Sequence, residues 1–213
     1  MPQIQSDPLP QLPQVQLYLW RLDEKSEELA SIIDNGKRML AEASSRFKST
    51  KRQQEWLATR ALLAQTPYKN LEILYHNNGQ PYLSDINSHI SISHTQNYVA
   101  IAISATPIGI DIEEKGRNAY AAVKAYLQPE EIERLSGSEE PQKEALRLWT
   151  VKEAAFKATS GHTALLKEIM AERESCDGNT TRYGITCIDG SKATCLTTET
   201  EGFIASFCTP SCP

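Results

Sequence analysis

The run Gly109-Ile110-Asp111-Ile112-Glu113 alternates carboxylates with isoleucines. In a strand, alternate side chains share a face. Asp111 and Glu113 therefore stand together, about 7 Å apart at their Cα atoms, with Ile110 and Ile112 on the opposite face. Further along, Trp149-Thr150-Val151-Lys152-Glu153-Ala154-Ala155-Phe156-Lys157 sets Trp149, Glu153 and Lys157 at four-residue intervals, which is one stripe of a helix. Three carboxylates in one place repel one another and hold their protons unless a cation joins them. Carboxylate oxygens, waters and phosphate make the octahedral shell that magnesium takes. With a lysine beside them, these residues suit a hard cation gripping a diphosphate, and Asp111 is expected to face a cleft.

Each string alone says little. Asp-x-Glu on a strand is usually solvated charge, and a Lys-Glu pair inside a helix usually marks a wet face. Together, and preceded by Ile92-Ser93-His94-Thr95, they form a specific combination. It resembles the signature of the 4′-phosphopantetheinyl transferases, which move the phosphopantetheine arm of coenzyme A onto a serine of a carrier protein. The resemblance spans residues 45–160 and is to the longer, monomeric, surfactin-synthetase-type branch. It does not extend to the short, trimeric holo-acyl-carrier-protein synthases.

The resemblance implies an α+β fold, a pseudo-dimer of two similar α+β lobes. It implies magnesium, with manganese as the alternative, on Asp111, Glu113 and Glu153, and Lys157 on the coenzyme A diphosphate. His94, between Ser93 and Thr95, would hold the 3′-phosphate together with Lys51 or Arg52, of which Arg52 is favoured. Arg60 would contact phosphate or brace the lobe interface. Gly79-Gln80-Pro81 resembles the family's Gly-x-Pro turn beside the nucleotide. Three departures stand out. Thr95 replaces the second serine of Ser-His-Ser but keeps a hydroxyl. Gln80 stands where a lysine is frequent, which weakens a phosphate contact but keeps Gln80 among the expected coenzyme A-binding residues. His162 follows Gly161 where related sequences place a lysine, and it reads as a surface-loop residue, with substrate contact as the alternative.

In such a family the carrier serine attacks the phosphorus that bears pantetheine, and 3′,5′-ADP leaves. Serine needs activation, and Glu153 is the first choice of base, directly or through a metal-bound water. The implied partners are apo acyl or peptidyl carrier proteins of fatty-acid, polyketide or nonribosomal-peptide pathways. Such carriers are acidic around the modified serine and would meet a basic or apolar surface. The candidate is the 115–127 segment, with Lys115, Arg117, Val123, Lys124, Tyr126 and Leu127.

The elements that must position these groups follow from periodicity and punctuation. A strand is expected at 15–20 and a helix at 26–43, interrupted near Asn35-Gly36. A stronger helix covers 49–65, with Trp56, Leu57, Leu62 and Leu63 on its apolar side. Strands follow at 71–76, 88–93 and 97–104. The second half gives a strand at 108–113, helices at 117–127 and 129–136, a long helix at 142–159, and strands at 182–188, 192–198 and 202–208. A helix followed by three strands thus occurs twice, and Trp56 precedes Arg60 as Trp149 precedes Glu153, which reads as an internal duplication. The expected organisation is a flexible segment at 1–14, an N-terminal lobe at 15–105, and a C-terminal lobe at 106–213 with the metal site at the lobe interface. Trp20, Trp56 and Trp149 read as core packing.

At 213 residues and 40% hydrophobic content, the chain is long enough for one large domain or two small lobes. The net charge of −5 argues against nucleic-acid binding as the main function. It also weighs against the rival reading, a magnesium-dependent nuclease or phosphodiesterase on the same carboxylates. An inactive coenzyme A- or carrier-binding module sits poorly with the intact trio. No apolar run approaches the roughly 20 residues of a membrane span, and Met1 to Pro13 lacks the pattern of a secretory signal. The expectation is a cytoplasmic monomer that engages neither nucleic acid nor membrane. Five cysteines occur without a Cys-x-x-Cys pair, so free thiols are expected and zinc is not. Cys187, Cys195 and Cys208 read as small buried groups in strands.

Overall fold

The computed structural model of the chain describes residues 12, 14–84, 88–159 and 165–211. The chain divides into two compact units, Met1–Ala105 and Thr106–Pro213.

The first unit runs β1 (Val15–Arg21), α1 (Ser26–Ile32), α2 (Gly36–Arg46), α3 (Thr50–Ala64), β2 (Ile73–Tyr75), β3 (Pro81–Leu83), β4 (His89–His94) and β5 (Tyr98–Ser104). The break between α1 and α2 falls at Asn35, whose φ is 61°, a left-handed conformation that asparagine tolerates. Ser49 starts α3 by accepting a bond from the Arg52 amide, a frequent first-turn cap. One side of α3 buries Trp56, Leu57, Ala58, Ala61, Leu62 and Leu63 in a core with Trp20, Leu29 and Ile101. Each fully buried leucine there contributes about 1.5–3 kcal/mol. The sheet is antiparallel, in the order β1-β5-β4.

The second unit runs β6 (Gly109–Glu114), a 3-10 turn (Tyr120–Ala122), α4 (Val123–Tyr126), α5 (Pro129–Ser136), α6 (Pro141–Ala158), a second 3-10 turn (Leu166–Glu168), β7 (Ile169–Asp177), β8 (Thr180–Cys187), β9 (Lys192–Glu199) and β10 (Phe203–Pro210). Its antiparallel sheet has the order β6-β10-β9-β8-β7. The long helix α6 packs on β6, β10 and β9. It buries Leu148, Val151, Ala154, Ala155 and Ala158 against Ile169, Tyr183, Cys187, Cys195 and Cys208. A chain of buried hydroxyls, Thr150 to Ser206 and Ser206 to Thr197, each 2.8 Å, ties α6 to β10 and β9.

The units share an internal order. In each, the first strand pairs with the last, and the last with the penultimate, giving β1-β5-β4 and β6-β10-β9. In each, the long helix lies in sequence between the first strand and the rest.

Several sequence expectations need correction. Four strands follow each long helix, not three. β3 is too short for alternation to register, and β7 is exposed from Glu172 onward, so its sequence reads as solvated charge. The 117–127 segment is a 3-10 turn and one short turn of α-helix. Its Tyr126 and Leu127 pack inward at 1% exposure, so they are not part of an open docking face. The Tyr126 hydroxyl donates to the Ala145 carbonyl at 2.9 Å, which draws the segment against α6. Cys187, Cys195 and Cys208 are buried free thiols. No helix among the described residues is long and apolar enough to cross a membrane. His162, Cys212 and residues 1–11 and 13 lie outside the described residues.

Candidate active site

β6 and α6 build the site in the second unit. Gly109, Asp111 and Glu113 share the face of β6 that meets α6. The reason for glycine at 109 is contact: a Cβ there would run into the Ala154 carbonyl oxygen, so a side chain would hold the helix off the strand. In register with β10, Asp111 stands opposite Ser206 and Glu113 opposite Ile204. Ile110 and Ile112, on the other face, are buried.

The stripe of α6 meets this face as the spacing predicts. Lys157 Nζ donates to Asp111 Oδ1 at 2.8 Å and to the Ile110 carbonyl at 2.9 Å. Trp149 Nε1 donates to Glu113 Oε1 at 2.9 Å. The guanidinium of Arg117 pairs with the same oxygen and lies 4.4 Å from the centre of the Trp149 ring. Asp111 and Glu113 are only 5% and 8% exposed, so they are more enclosed than an open cleft would leave them.

Electrostatics tie the three carboxylates together. Burial pushes Glu113 up to about 7, the negative charge of Asp111 adds to this, and Arg117, the Trp149 bond and Lys157 oppose it. Glu153 is raised by burial first and by Asp111 second, against Lys157 and Arg117. Among the described residues, no group of three or more His, Cys, Asp or Glu side chains is gathered so as to hold a metal ion. Lys157 and Arg117 supply the positive charge instead, each against one carboxylate. By chemistry alone Asp111, Glu113 and Glu153 are an all-oxygen set of the kind a hard divalent cation takes. Burial first and the Asp111 charge second raise Glu113 and Glu153, a penalty that a cation would relieve.

In the first unit, the start of α3 meets the turn after β4. Lys51 Nζ donates to the Gln96 carbonyl at 2.6 Å, and His94 Nδ1 lies 3.6 Å from Glu55 Oε2. Thr95 Oγ1 accepts from the Asn97 and Tyr98 amides and closes the turn. Ser93 is buried, and Arg52 is exposed. Lys51 and His94 are therefore gathered at one place, with Arg52 on the same helical turn as Lys51. Glu55 is an addition the sequence did not announce. Gln80 and Pro81 lie in the β2–β3 hairpin, where the Gln80 carbonyl accepts from the His76 amide at 2.9 Å. Arg60 is engaged within its own unit. It stacks 3.4 Å from the Trp56 ring centre and donates to the Trp56 and Ile73 carbonyls, so it braces α3 against β2.

Sequence reasoning missed Lys152, which is fully buried. Its Nζ reaches Glu131 Oε2 at 2.5 Å and the Tyr126 carbonyl at 2.9 Å. Glu131 also accepts from the Gln128 and Ala171 amides. Burial lowers the proton affinity of Lys152, and the Glu131 charge restores part of it. Reading Trp149 as core packing was likewise incomplete, since its indole N–H is turned into the site.

The sequence pattern of the 4′-phosphopantetheinyl transferase superfamily matches residues 107–208. Among curated proteins, the chain is similar to the 4′-phosphopantetheinyl transferase HetI of Nostoc, 29% identical over 175 residues that cover 72% of this chain and 73% of that protein. It is 32% identical over 107 residues to the transferase psf-1 of Bacillus pumilus, covering 49% and 46%. It is 33% identical over 108 residues to the transferase gsp of Aneurinibacillus migulanus, covering 49% and 45%. The matches to these last two thus span slightly under half of either relative.

Proposed function

We propose that the chain is, through residues 107–208, a member of the 4′-phosphopantetheinyl transferase superfamily and that it carries out that family's reaction. It transfers the 4′-phosphopantetheine group of coenzyme A to a serine of an apo acyl or peptidyl carrier protein, releasing 3′,5′-ADP. The observation that carries this reading is the meeting of Asp111, Glu113, Glu153 and Lys157 between β6 and α6.

In this reading Asp111, Glu113 and Glu153 hold magnesium, which when bound supplies positive charge to the diphosphate oxygens. Glu153, beside Asp111 and Lys157, serves as the base, directly or through a water molecule. It takes the serine proton as the serine oxygen attacks the phosphorus that bears pantetheine. The bond from that phosphorus to the bridging diphosphate oxygen breaks, and 3′,5′-ADP carries the electron pair away. Lys157 turns from Asp111 to the leaving oxygens and steadies their charge. Lys51 or Arg52, with His94 and its neighbours Ser93 and Thr95, binds the 3′-phosphate. The same reading makes the chain a monomer that acts in the cytoplasm.

The test is direct. The protein is incubated with coenzyme A, magnesium and a panel of apo carrier proteins, and the carriers are weighed by mass spectrometry. A gain of one phosphopantetheine on one carrier is the expected result. No gain on any carrier overturns the reading, and cleavage of nucleic acid in a parallel assay favours the nuclease rival.

A further inference from the structure

We propose that Trp149 is a positioning residue for the Glu113 carboxylate, the last link of a brace that begins at the buried Lys152–Glu131 pair. The proposal rests on the reading of β6 and α6 as the active site. Four contacts on one side of α6 define the brace. Lys152 Nζ, neutralised by Glu131, donates to the Tyr126 carbonyl. The Tyr126 hydroxyl donates to the Ala145 carbonyl, so the residue is held at its backbone and at its far end. The Tyr126 and Trp149 rings meet edge-on, with 5.0 Å between centroids and 89° between planes, an attractive aromatic geometry. The Trp149 indole N–H then points at Glu113 Oε1.

Physical consequence follows from the donor count. Glu113 Oε1 takes both the indole N–H and the Arg117 guanidinium, and neither donor takes Oε2. One oxygen is thus pinned, and the carboxylate plane is set. Arg117 is a flexible, 44%-exposed side chain that a bound phosphate could draw away. The indole is fixed by its packing and by the helix, so it is the donor that stays. Partners of this kind, one step removed from the ligand, typically change metal affinity by about 10- to 100-fold when lost.

Two measurements test this. In the metal-free protein, the Trp149 indole N–H resonance is identified by its loss in Trp149→Phe. It is expected to move upfield in Glu113→Ala, because the N–H loses its acceptor. Separately, benzothienylalanine is placed at position 149, which keeps the ring shape and replaces the N–H with sulfur. Magnesium uptake, read by calorimetry without coenzyme A, is expected to weaken about tenfold while the melting temperature stays near that of the parent. An indole resonance that ignores Glu113→Ala overturns the brace, as does unchanged magnesium affinity in the benzothienylalanine protein. If the parent protein takes up no magnesium yet the resonance responds, the brace stands and the magnesium reading falls.

Discussion

Asp111 and Glu113 stand two residues apart on one strand face, yet different donors hold them. Asp111 is tied to Lys157, the residue proposed to meet the leaving oxygens, whereas Glu113 is tied to Trp149 and Arg117. Asp111→Asn is therefore expected to cut transfer at least about a hundredfold, with the circular dichroism spectrum unchanged, since the amide keeps the shape of the side chain. Glu113 adds a pH signature. Its proton is held more tightly in the folded protein, up to about 7, than in the unfolded chain. The stability this gives is full below the ordinary glutamate value and is lost as pH rises through about 7. The metal-free parent should lose melting temperature between about pH 4.5 and about pH 7 through this group, and Glu113→Gln should flatten that fall. An equal slope in both proteins would remove Glu113 as its source.

At the scale of elements, α6 does two jobs. One stripe carries Trp149, Glu153 and Lys157 to β6, and Lys152, three residues after Trp149 and beside it on the helix surface, runs into the core. Removing one partner of a buried ion pair strands the other, at a cost of about 3–5 kcal/mol. Lys152→Ala should therefore lower the urea midpoint by that amount of free energy, and Lys152→Ala with Glu131→Leu should recover much of it. A Lys152→Ala protein as stable as the parent would mean the pair carries no weight. The Asp111–Glu113 face was legible in the sequence because a strand has a period of two, and the α6 stripe because four residues return to the same side. Lys152 was not legible. A lysine in a helix ordinarily reads as solvated, and its partner lies 21 residues away, beyond any local pattern. β7 escaped for the opposite reason, since its exposed half has no apolar alternation to find. The 117–127 helix failed because tertiary contacts of Arg117 and Tyr126 outweigh the helix propensity of its alanines.

At the scale of the whole chain, one scaffold order serves two sets of charges. α3 brings Lys51 and Glu55 to the end of β4, where His94 stands, whereas α6 brings Glu153 and Lys157 to the carboxylates of β6. In the proposed reaction the 3′-phosphate and the diphosphate of coenzyme A are assigned to different residues, so the two assignments are testable separately by the choice of donor. His94→Ala and Arg52→Ala should each raise the KM for coenzyme A about tenfold, the scale of one charge-assisted hydrogen bond, and leave 3′-dephospho-coenzyme A unaffected. Lys157→Ala should impair both donors, because both keep the diphosphate. Combining His94→Ala with Lys157→Ala should give additive losses with coenzyme A, while with the dephospho donor the double variant should match Lys157→Ala alone. If His94→Ala and Arg52→Ala weaken both donors equally, these residues do not read the 3′-phosphate, and the first unit contributes to binding by some other group.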